Sequence, residues 1–389
     1  MIRSLLDNDL YKLTMQQGVH MLYPRAEVRY RFINRGENDF PEGFDARLSE
    51  EVQRMAALSL RDEEADWLER TCCFLTPVYL DFLRHYRFDP SQVRVSKTGG
   101  AFDIDIEGPW YRAILWEVPL MALISELFYE ITGASVMARD ERRKRNIEKV
   151  ETLRDGGVNF ADFGTRRRYS SANHREVLQD CRSVVGNTLI GTSNVHFARR
   201  LGMKPIGTHA HEWFMFHAAE QGYRTANKTA TDAWVAVYQG DLGIALTDTY
   251  TTDVFLESFD SVKARLFDGV RQDSGDPRTF VDKIVAHYRR LRIDPMTKTV
   301  VFSDDLSTEE AVSIREYCEG KIRASFGIGT HLTNDVGPTA LNMVIKLTEC
   351  RADRCSPWIP TVKLSDVPGK HTGHSDEIDL CMRILQRSR

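Results

Sequence analysis

Three arginines follow an apolar run at one point of the sequence. The segment Asp162-Phe163-Gly164-Thr165-Arg166-Arg167-Arg168 comes directly after Asn159-Phe160-Ala161. Guanidinium groups bind carboxylates and phosphates through paired hydrogen bonds. A solvated basic turn is the alternative interpretation, but a position at the end of a predicted strand favours an anion site.

A second cluster, Gly207-Thr208-His209-Ala210-His211-Glu212-Trp213, contains two histidines where a strand ends and a helix begins. An imidazole that is neutral near pH 7 is a good nucleophile. His211 is therefore a candidate phosphoryl acceptor, metal ligand or general acid or base, and a structural histidine is the bland alternative. His209 and His211 together suggest a metal clamp, but the spacing offers no third ligand.

Carboxylates form the third group, at the ends of further predicted strands: Asp248, Asp273, Asp276, Asp304 and Asp305. Carboxylates around one site hold a divalent cation, orient a histidine or bind ribose hydroxyls. Some of them are candidate helix N-caps instead, and Asp276-Pro277 has that pattern.

Glycines mark a fourth candidate element, Gly327-Ile328-Gly329-Thr330. Small residues let backbone N–H groups approach a phosphate closely, and late strands of α/β barrels often hold phosphate. A tight turn without a ligand is the alternative interpretation.

Repeated strand-loop-helix units must position these clusters. From about Asn159 onward, short apolar runs end in small or polar residues: 160–164, 189–193, 205–208, 245–248, 270–276, 300–305 and 326–330. This repetition predicts a parallel sheet, and the number of units favours an irregular α/β (TIM-like) barrel over an open sheet.

The earlier part of the chain has a different pattern. A helix opens near Asp7, the run 27–33 alternates as in a strand, and 93–106 is β-rich. We therefore predict an N-terminal α+β domain at 1–130, an α/β barrel domain at 131–344, and a tail at 345–389 that returns to the first domain.

Composition limits the classes of partner. The 389 residues are 42% hydrophobic and 28% charged with a net charge of -4, so no global basic field favours nucleic acid or an anionic membrane. The start is not typical of an export signal, and the apolar stretch 113–124 is too short to span a bilayer. With seven cysteines and no zinc-site spacing, we expect reduced thiols and a cytoplasmic protein.

Taken in order, the motifs resemble one family. LLDNDLYKLTMQQ, NFADFGTRRR, GTSN, GTHAHEW, LTDTY, VRQDSGDP, VFSDDL, FGIGT and VIKLTEC follow each other as in bacterial nicotinate phosphoribosyltransferases. The resemblance covers the chain from about Leu5 to Asp366. It implies a type II phosphoribosyltransferase, with a barrel beside an α/β sandwich and an active site shared between two subunits of a homodimer.

The resemblance also implies site residues. His211 is similar to the histidine that family members phosphorylate from ATP, and Asp248 to the carboxylate that orients it. Phe163 and Tyr11, the latter from a neighbouring subunit, would stack on the pyridine ring. The expected contacts with substrate carboxylate and phosphates are Arg166, Arg271 and Thr208, with Gly327, Gly329 and Thr330 as the 5-phosphate cradle. Asp273 and Asp304 would bind ribose and Mg²⁺.

Ser193 indicates the substrate, since related nicotinamide-using enzymes have an acidic residue there. An aspartate would accept a hydrogen bond from an amide and repel a carboxylate, whereas serine donates. The expected substrates are nicotinic acid, phosphoribosyl pyrophosphate and ATP, in NAD salvage by the Preiss-Handler route. The alternatives are nicotinamide as substrate, a barrel glycosidase using two carboxylates, and a non-catalytic barrel that binds a phosphorylated ligand.

Overall fold

The computed structural model of the protein describes residues 1–36, 38–98 and 101–386. Within these ranges, no helix is both long and apolar enough to cross a bilayer. The seven cysteines are all unpaired.

The strands are β1 (Glu27–Asn34), β2 (Val93–Thr98), β3 (Ala101–Pro109), β4 (Phe160–Asp162), β5 (Leu189–Thr192), β6 (Gln239–Leu242), β7 (Ile244–Leu246), β8 (Gly269–Gln272), β9 (Thr299–Phe302), β10 (Arg323–Ile328), β11 (Met343–Arg351) and β12 (Ile359–Pro360).

The helices are α1 (Leu10–Leu22), α2 (Phe44–Met55), α3 (Asp62–Thr71), α4 (Pro77–His85), α5 (Trp110–Ala113), α6 (Glu117–Thr132), α7 (Arg139–Asp155), α8 (Ser171–Ser183), α9 (Val195–Leu201), α10 (His211–Gln221), α11 (Ala226–Tyr238), α12 (Thr252–Ser258), α13 (Ser261–Leu266), α14 (Pro277–Arg290), α15 (Thr308–Cys318), α16 (Thr330–Thr333) and α17 (Ser375–Gln386). Short 3₁₀ turns lie at Pro90–Gln92, Pro295–Thr297 and Pro368–Lys370.

One sheet is antiparallel, in the order β12-β11-β1-β3-β2. Strand β1 alternates because Val28, Tyr30 and Phe32 are buried while Arg31 is exposed. It pairs with β3 on one side and with β11 on the other. Residues 343–351 therefore complete a sheet whose other long strands all precede residue 110, while the domain boundaries themselves stay a prediction.

The second sheet is parallel, in the order β5-β4-β10-β9-β8-β7. Its strands are short and mostly buried, as expected of a parallel sheet covered by helices on its faces. Six of the seven predicted strand runs form these strands. Because parallel strands end at one edge, their following loops come together there.

The predicted closed barrel is not confirmed, because no ladder joins β5 to β7 among the described residues. The run 205–208, predicted as a strand, makes only a single bridge between Thr192 and Pro205. Proline has no N–H to continue a ladder. Gly207 lies against helix α1, where an added Cβ would be 2.8 Å from the backbone nitrogen of Tyr11. The chain is thus a mixed α/β fold with one antiparallel and one parallel sheet.

Helix α1 joins the two parts of the fold. The Leu10 N–H donates to the carbonyl of Ser193 over 2.8 Å, and the Thr14 hydroxyl donates to the carbonyl of Thr208. On the other side, the Gln16 amide donates to the carbonyl of Tyr111. The helix therefore places its first turn at the edge where the parallel strands end.

Candidate active site

A cavity of 650 Å³ opens at the carboxyl ends of the parallel strands. Its wall contains all but one of the predicted site residues: Tyr11, Phe163, Arg166, Ser193, Thr208, His211, Arg271, Asp273, Asp304, Gly327, Gly329 and Thr330. Asp248 lies behind His211, with 3.8 Å between its Oδ1 and the histidine Nε2. Residues spread over more than 300 positions thus meet at one site.

His211 is the first residue of α10, and its ring is fixed by hydrogen bonds on both sides. Nε2 lies 3.0 Å from Asp273 Oδ2, and Nδ1 lies 3.1 Å from Thr249 Oγ1. A carboxylate accepts only, so Nε2 carries the proton and Nδ1 accepts from the threonine hydroxyl. The free lone pair of the ring is therefore on Nδ1, next to the threonine hydroxyl.

The charge state of His211 follows from burial. Burial, together with the nearby charge of Lys363, lowers the pKa of His211 to about 4, although the carboxylates of Asp248 and Asp273 oppose this. The imidazole is therefore neutral at pH 7, as a nucleophile requires.

The geometry gives the hydrogen bond to His211 to Asp273 rather than to Asp248. Asp273, expected to bind ribose and metal, is the one hydrogen-bonded to His211. Asp248 Oδ2 instead accepts from the Ser274 hydroxyl at 2.6 Å, and its Oδ1 is 3.8 Å from the imidazole, beyond hydrogen-bond distance. Asp248 contributes charge to His211, and Asp273 orients the ring.

The three clustered arginines separate into two environments. Arg168 is fully buried and forms a bidentate ion pair with Asp7, with 2.7 Å from Nη1 to Oδ1 and 2.8 Å from Nη2 to Oδ2. Its role is therefore structural. Arg166 and Arg167 line the cavity. The Arg166 side chain keeps 41% exposure and has Nη1 3.6 Å from Glu117 Oε1.

A buried ion cluster lies beneath Arg166. Lys12 Nζ is 2.5 Å from Glu117 Oε2 and 2.6 Å from Glu212 Oε1, and all three residues are buried. Burial would raise the pKa of Glu117, but the charges of Lys12 and Arg166 hold it below its usual value. Glu117 thus ties Arg166 to α1 and to the first turn of α10.

Phe163 is seated on a glycine. A Cβ added at Gly327 would lie 2.3 Å from the Phe163 ring, so only glycine lets the ring rest against β10. Gly327 therefore supports an aromatic wall of the cavity, whereas Gly329 and Thr330 begin the short helix α16. Tyr11 lines the cavity from the same chain, so a neighbouring subunit is not needed to bring it there.

Ser193 lines the cavity but is already hydrogen-bonded. Its Oγ is 2.7 Å from Asp9 Oδ1, and both residues are almost completely buried. Burial raises the pKa of Asp9, against the charge of Arg166. Asp9 was not among the predicted site residues.

Asp273 and Asp304, the predicted Mg²⁺ ligands, both line the cavity. Asp304 pairs with Lys370, and Asp273 Oδ1 accepts from the Ser303 hydroxyl at 2.7 Å. Among the described residues, the group with ligand atoms all within 4.8 Å is His211, Asp248 and Asp273. Oxygen donors suit Mg²⁺, but each of these carboxylates already has a protein partner.

Several cationic residues of the wall were missed from the sequence: Arg35, Lys346, Lys363 and Lys370. Lys346 lies on β11 and Lys363 follows β12, so both come from the tail rather than from the parallel sheet. Burial and the charge of Lys363 lower the pKa of Lys346 to about 7. Lys346 is a charged residue between the apolar residues of VIKLTEC, and this was the feature of the sequence that could have indicated its place in the cavity wall.

His209 does not join His211. It is buried against Phe214 and Trp234, with ring centroids 5.2 and 4.7 Å away, and neither ring nitrogen has a hydrogen-bond partner among the described residues. The two histidines therefore do not form a metal clamp.

Comparisons with known proteins agree with this arrangement. A model of the nicotinate phosphoribosyltransferase (NAPRTase) family matches residues 158–385, and a model of the NAPRTase N-terminal domain matches residues 6–125. Nicotinate phosphoribosyltransferases of Desulforapulum autotrophicum and Chromohalobacter salexigens are 56% and 54% identical, each over 100% of both chains.

Solved structures with nicotinate phosphoribosyltransferase in their names are also similar to this chain. The crystal structure of nicotinate phosphoribosyltransferase from Porphyromonas gingivalis has a TM-score of 0.97 and 46% identity, covering 99% of this chain and 100% of that one. A putative nicotinate phosphoribosyltransferase from Saccharomyces cerevisiae has a TM-score of 0.93 at 33% identity, covering 99% and 98%. By motif order, fold and overall similarity, this chain belongs to the nicotinate phosphoribosyltransferase family.

Proposed function

We propose that this chain transfers ribose 5-phosphate from phosphoribosyl pyrophosphate to the ring nitrogen of nicotinic acid. The products are nicotinate mononucleotide and pyrophosphate, and the reaction belongs to NAD salvage. The observation that carries the proposal is one cavity in which an aromatic wall and an anion-binding arginine face a neutral histidine and several lysines. Family membership supports the same reaction.

The pyridine ring binds against Phe163, with Tyr11 as the second aromatic residue of the cavity. Offset aromatic contacts fix the plane of a ring while leaving its nitrogen lone pair free. Arg166 binds the substrate carboxylate, since a guanidinium fork matches its two oxygens. This holds the nucleophilic nitrogen toward the anomeric carbon of the sugar.

Cationic side chains and backbone amides bind the phosphates. Gly329, Thr330 and Thr208 offer N–H and hydroxyl donors, and Arg271 extends from β8. Lys346, Lys363 and Lys370 neutralise charge that grows on the departing pyrophosphate. Without them, bond cleavage at the anomeric carbon would leave that charge unstabilised.

Asp273 and Asp304 would hold Mg²⁺ through carboxylate oxygens, once Lys370 releases Asp304 and the Ser303 hydroxyl releases Oδ1 of Asp273. The ion would neutralise the pyrophosphate oxygens. Its carboxylate ligands would also bring the ribose hydroxyls into reach.

His211 couples ATP to the transfer. Its Nδ1 attacks the γ-phosphorus of ATP, the bond to the β-γ bridging oxygen breaks, and ADP leaves. The developing imidazolium keeps its proton on Nε2, hydrogen-bonded to Asp273. Water later attacks the phosphorus and restores the neutral imidazole with release of phosphate. Thr249 must turn its hydroxyl away from Nδ1 during the attack.

An omission series tests the proposal. The protein is incubated with nicotinate, phosphoribosyl pyrophosphate, Mg²⁺ and ATP, and each component is left out in turn while products are identified by mass. We expect nicotinate mononucleotide only when the pyridine acid and the sugar donor are both present, with a lower yield when ATP is absent. Failure to form any nucleotide from nicotinate would refute the proposal.

We also propose a homodimer, as family membership suggests. Size measured in solution by light scattering tests this separately, and a monomer with full activity would contradict it.

A further inference from the structure

The hydroxyl of Ser193 has a partner inside the protein. Its Oγ is 2.7 Å from Asp9 Oδ1, and Asp9 and Ser193 are 3% and 4% exposed. Both line the cavity. A serine hydroxyl has a single hydrogen, so while Asp9 is ionised that hydrogen is directed to Asp9.

This arrangement conflicts with the binding of a pyridine carboxylate. An anion beside Ser193 would find its hydrogen-bond donor occupied, and it would lie near a second buried carboxylate. Two carboxylates that share a poorly solvated site do not both stay ionised, since repulsion raises the pKa of one of them.

We propose that Asp9 takes up one proton when nicotinate binds, which rests on the proposed function of the cavity. The proton comes from solvent and binds a carboxylate oxygen of Asp9. Neutral Asp9 then donates its O–H to Ser193 Oγ, and the Ser193 hydroxyl turns to donate to the substrate carboxylate. No other bond forms or breaks, and Asp9 with Ser193 becomes a pair that recognises the acid.

The surroundings of Asp9 favour the uptake. Burial raises its pKa, and the charge of Asp162 adds to this. Arg168 also lies near, but its guanidinium is held by Asp7. Arg166 and Tyr11 also interact with Asp9, and a hydrogen bond with the Thr165 side chain favours its ionised form.

Arg166 is the group that opposes protonation in the free protein, because its charge stabilises ionised Asp9. It already lies 3.6 Å from Glu117. Once the substrate carboxylate binds Arg166, this cation is shared among three carboxyl groups. The electrostatic stabilisation that Arg166 gives to ionised Asp9 therefore weakens in the same step in which the substrate carboxylate begins to repel Asp9.

The test measures the KM for nicotinate and kcat between pH 6 and pH 9, with the other substrates saturating. We expect KM to rise with pH, approaching about tenfold per pH unit above the apparent pKa of Asp9, since one proton is linked to binding. We expect kcat to change less than KM. Calorimetry of nicotinate binding at pH 8 in two buffers of different ionisation enthalpy should show close to one proton taken up.

Lys346 titrates in the same window, so a matched pair of variants assigns the effect. Asp9→Asn places a neutral amide donor beside Ser193, and we expect the KM slope and the proton uptake to disappear. Asp62→Asn makes the same change at a carboxylate whose side chain is 94% exposed, and should keep the wild-type slope.

A wild-type KM that is flat with pH, together with no proton uptake, would overturn the proposal, and so would an Asp9→Asn protein that keeps the slope. If Asp9→Asn fails to fold, calorimetry of Lys346→Arg decides, because arginine stays charged throughout this window: uptake that persists supports Asp9, and uptake that disappears overturns the proposal. These outcomes differ from failure of the proposed function, in which the wild-type protein makes no nucleotide from nicotinate at any pH.

Discussion

At the scale of single residues, the chemistry of the cavity depends on the protonation state of each buried group. His211 lies between two carboxylates, which would ordinarily raise the pKa of an imidazole. Burial and Lys363 outweigh them, and the ring stays neutral. Its reactivity therefore depends on desolvation rather than on the carboxylates alone.

Phosphorylation of His211 should accordingly be nearly independent of pH. With a pKa of about 4, the imidazole is neutral throughout the range from pH 5.5 to pH 8. An unperturbed imidazole, with a pKa of about 6.5, would lose roughly tenfold of its neutral form over that range. Incorporation of label from γ-labelled ATP, with the Mg²⁺-ATP complex kept saturating, measures the rate.

His211→Asn is the matched control and should incorporate no label. It should still form nucleotide at a reduced rate, because the pyridine and phosphate contacts remain. A steep loss of labelling below pH 7 in the wild-type protein, or label retained by the variant, would show that the neutral imidazole is not the acceptor.

Glu117 should act as a positioning residue for Arg166. Glu117→Gln removes the charge next to Arg166 and Lys12, leaving a buried lysine with Glu212 alone. We expect about a tenfold rise in KM for nicotinate, with a cost of about 3 kcal/mol in the free energy of unfolding, since one partner of a buried ion cluster is lost. Steady-state kinetics and urea unfolding measure both, and unchanged KM would separate Glu117 from substrate binding.

Sequence predicts convergence at this scale where a residue follows a parallel strand. Phe163, Ser193 and Asp273 meet at one cavity because strand ends converge whatever the details of the sheet, while their roles stay a prediction. The hydrogen bond of His211 to Asp273 rather than to Asp248 was missed because it depends on a difference of about an ångström, which the spacing of residues in the sequence does not contain. Asp9 was missed because its partner is 184 residues away along the chain.

At the scale of elements, strand β10 and the loop after β4 form one unit. The Phe163 N–H donates to the carbonyl of Ile328 at 2.9 Å, and the ring lies on Gly327. The aromatic wall of the cavity is therefore built by backbone pairing and by the absence of a single Cβ.

Gly327→Ala tests this unit. Its Cβ would overlap the Phe163 ring, which has to move, so we expect KM for nicotinate to rise at least about tenfold and stability to fall by about 1–3 kcal/mol from overpacking. Gly369→Ala is a matched control, since nothing lies within 4 Å of its added Cβ. Equal KM values and equal stabilities for the two variants would contradict the packing of the Phe163 ring on Gly327.

Repeated strand-loop-helix patterns predicted β4, β5, β7, β8, β9 and β10, because short apolar runs between helices form few structures other than buried strands. The run 205–208 has the same apolar start, yet it forms a single bridge. Pro205 and the approach of α1 at Gly207 decide this, and the second factor is tertiary.

At the scale of the whole molecule, the tail of the chain completes both the antiparallel sheet and the cavity. Strand β11 pairs with β1 along its length, and Lys346 and Lys363 reach the cavity from this region. The periodicity of the tail predicted strands but could not indicate their partners. The expected closure of the barrel is not confirmed, because the number of strand-loop-helix units does not show whether the two edge strands pair.

Buried neutral histidines should make the molecule sensitive to acid. Burial lowers the pKa of His209 to about 3 and that of His217 to about 4, as for His211. The unfolded chain binds protons on these residues below pH 6.5, whereas the folded chain does not. Stability is thus complete above pH 6.5 and falls as the pH decreases toward 4, by roughly 3 kcal/mol for each histidine.

Urea unfolding at pH 7 and pH 5 measures this loss. His209→Phe removes a ring whose two nitrogens have no hydrogen-bond partner in the described part of the chain, so the variant should lose less stability between these pH values than the wild-type protein. An equal loss in both proteins would mean that His209 is not kept neutral by the fold.

The central claim is that the cavity joins an aromatic acid to a phosphorylated sugar and selects the acid over its amide. One competition measures it: equal concentrations of nicotinate and nicotinamide are incubated with the protein, phosphoribosyl pyrophosphate, Mg²⁺ and ATP, and both mononucleotides are quantified by mass. The account predicts nicotinate mononucleotide in at least about tenfold excess, because Arg166 and Ser193 lie in the cavity wall. Equal or greater formation of nicotinamide mononucleotide would contradict it.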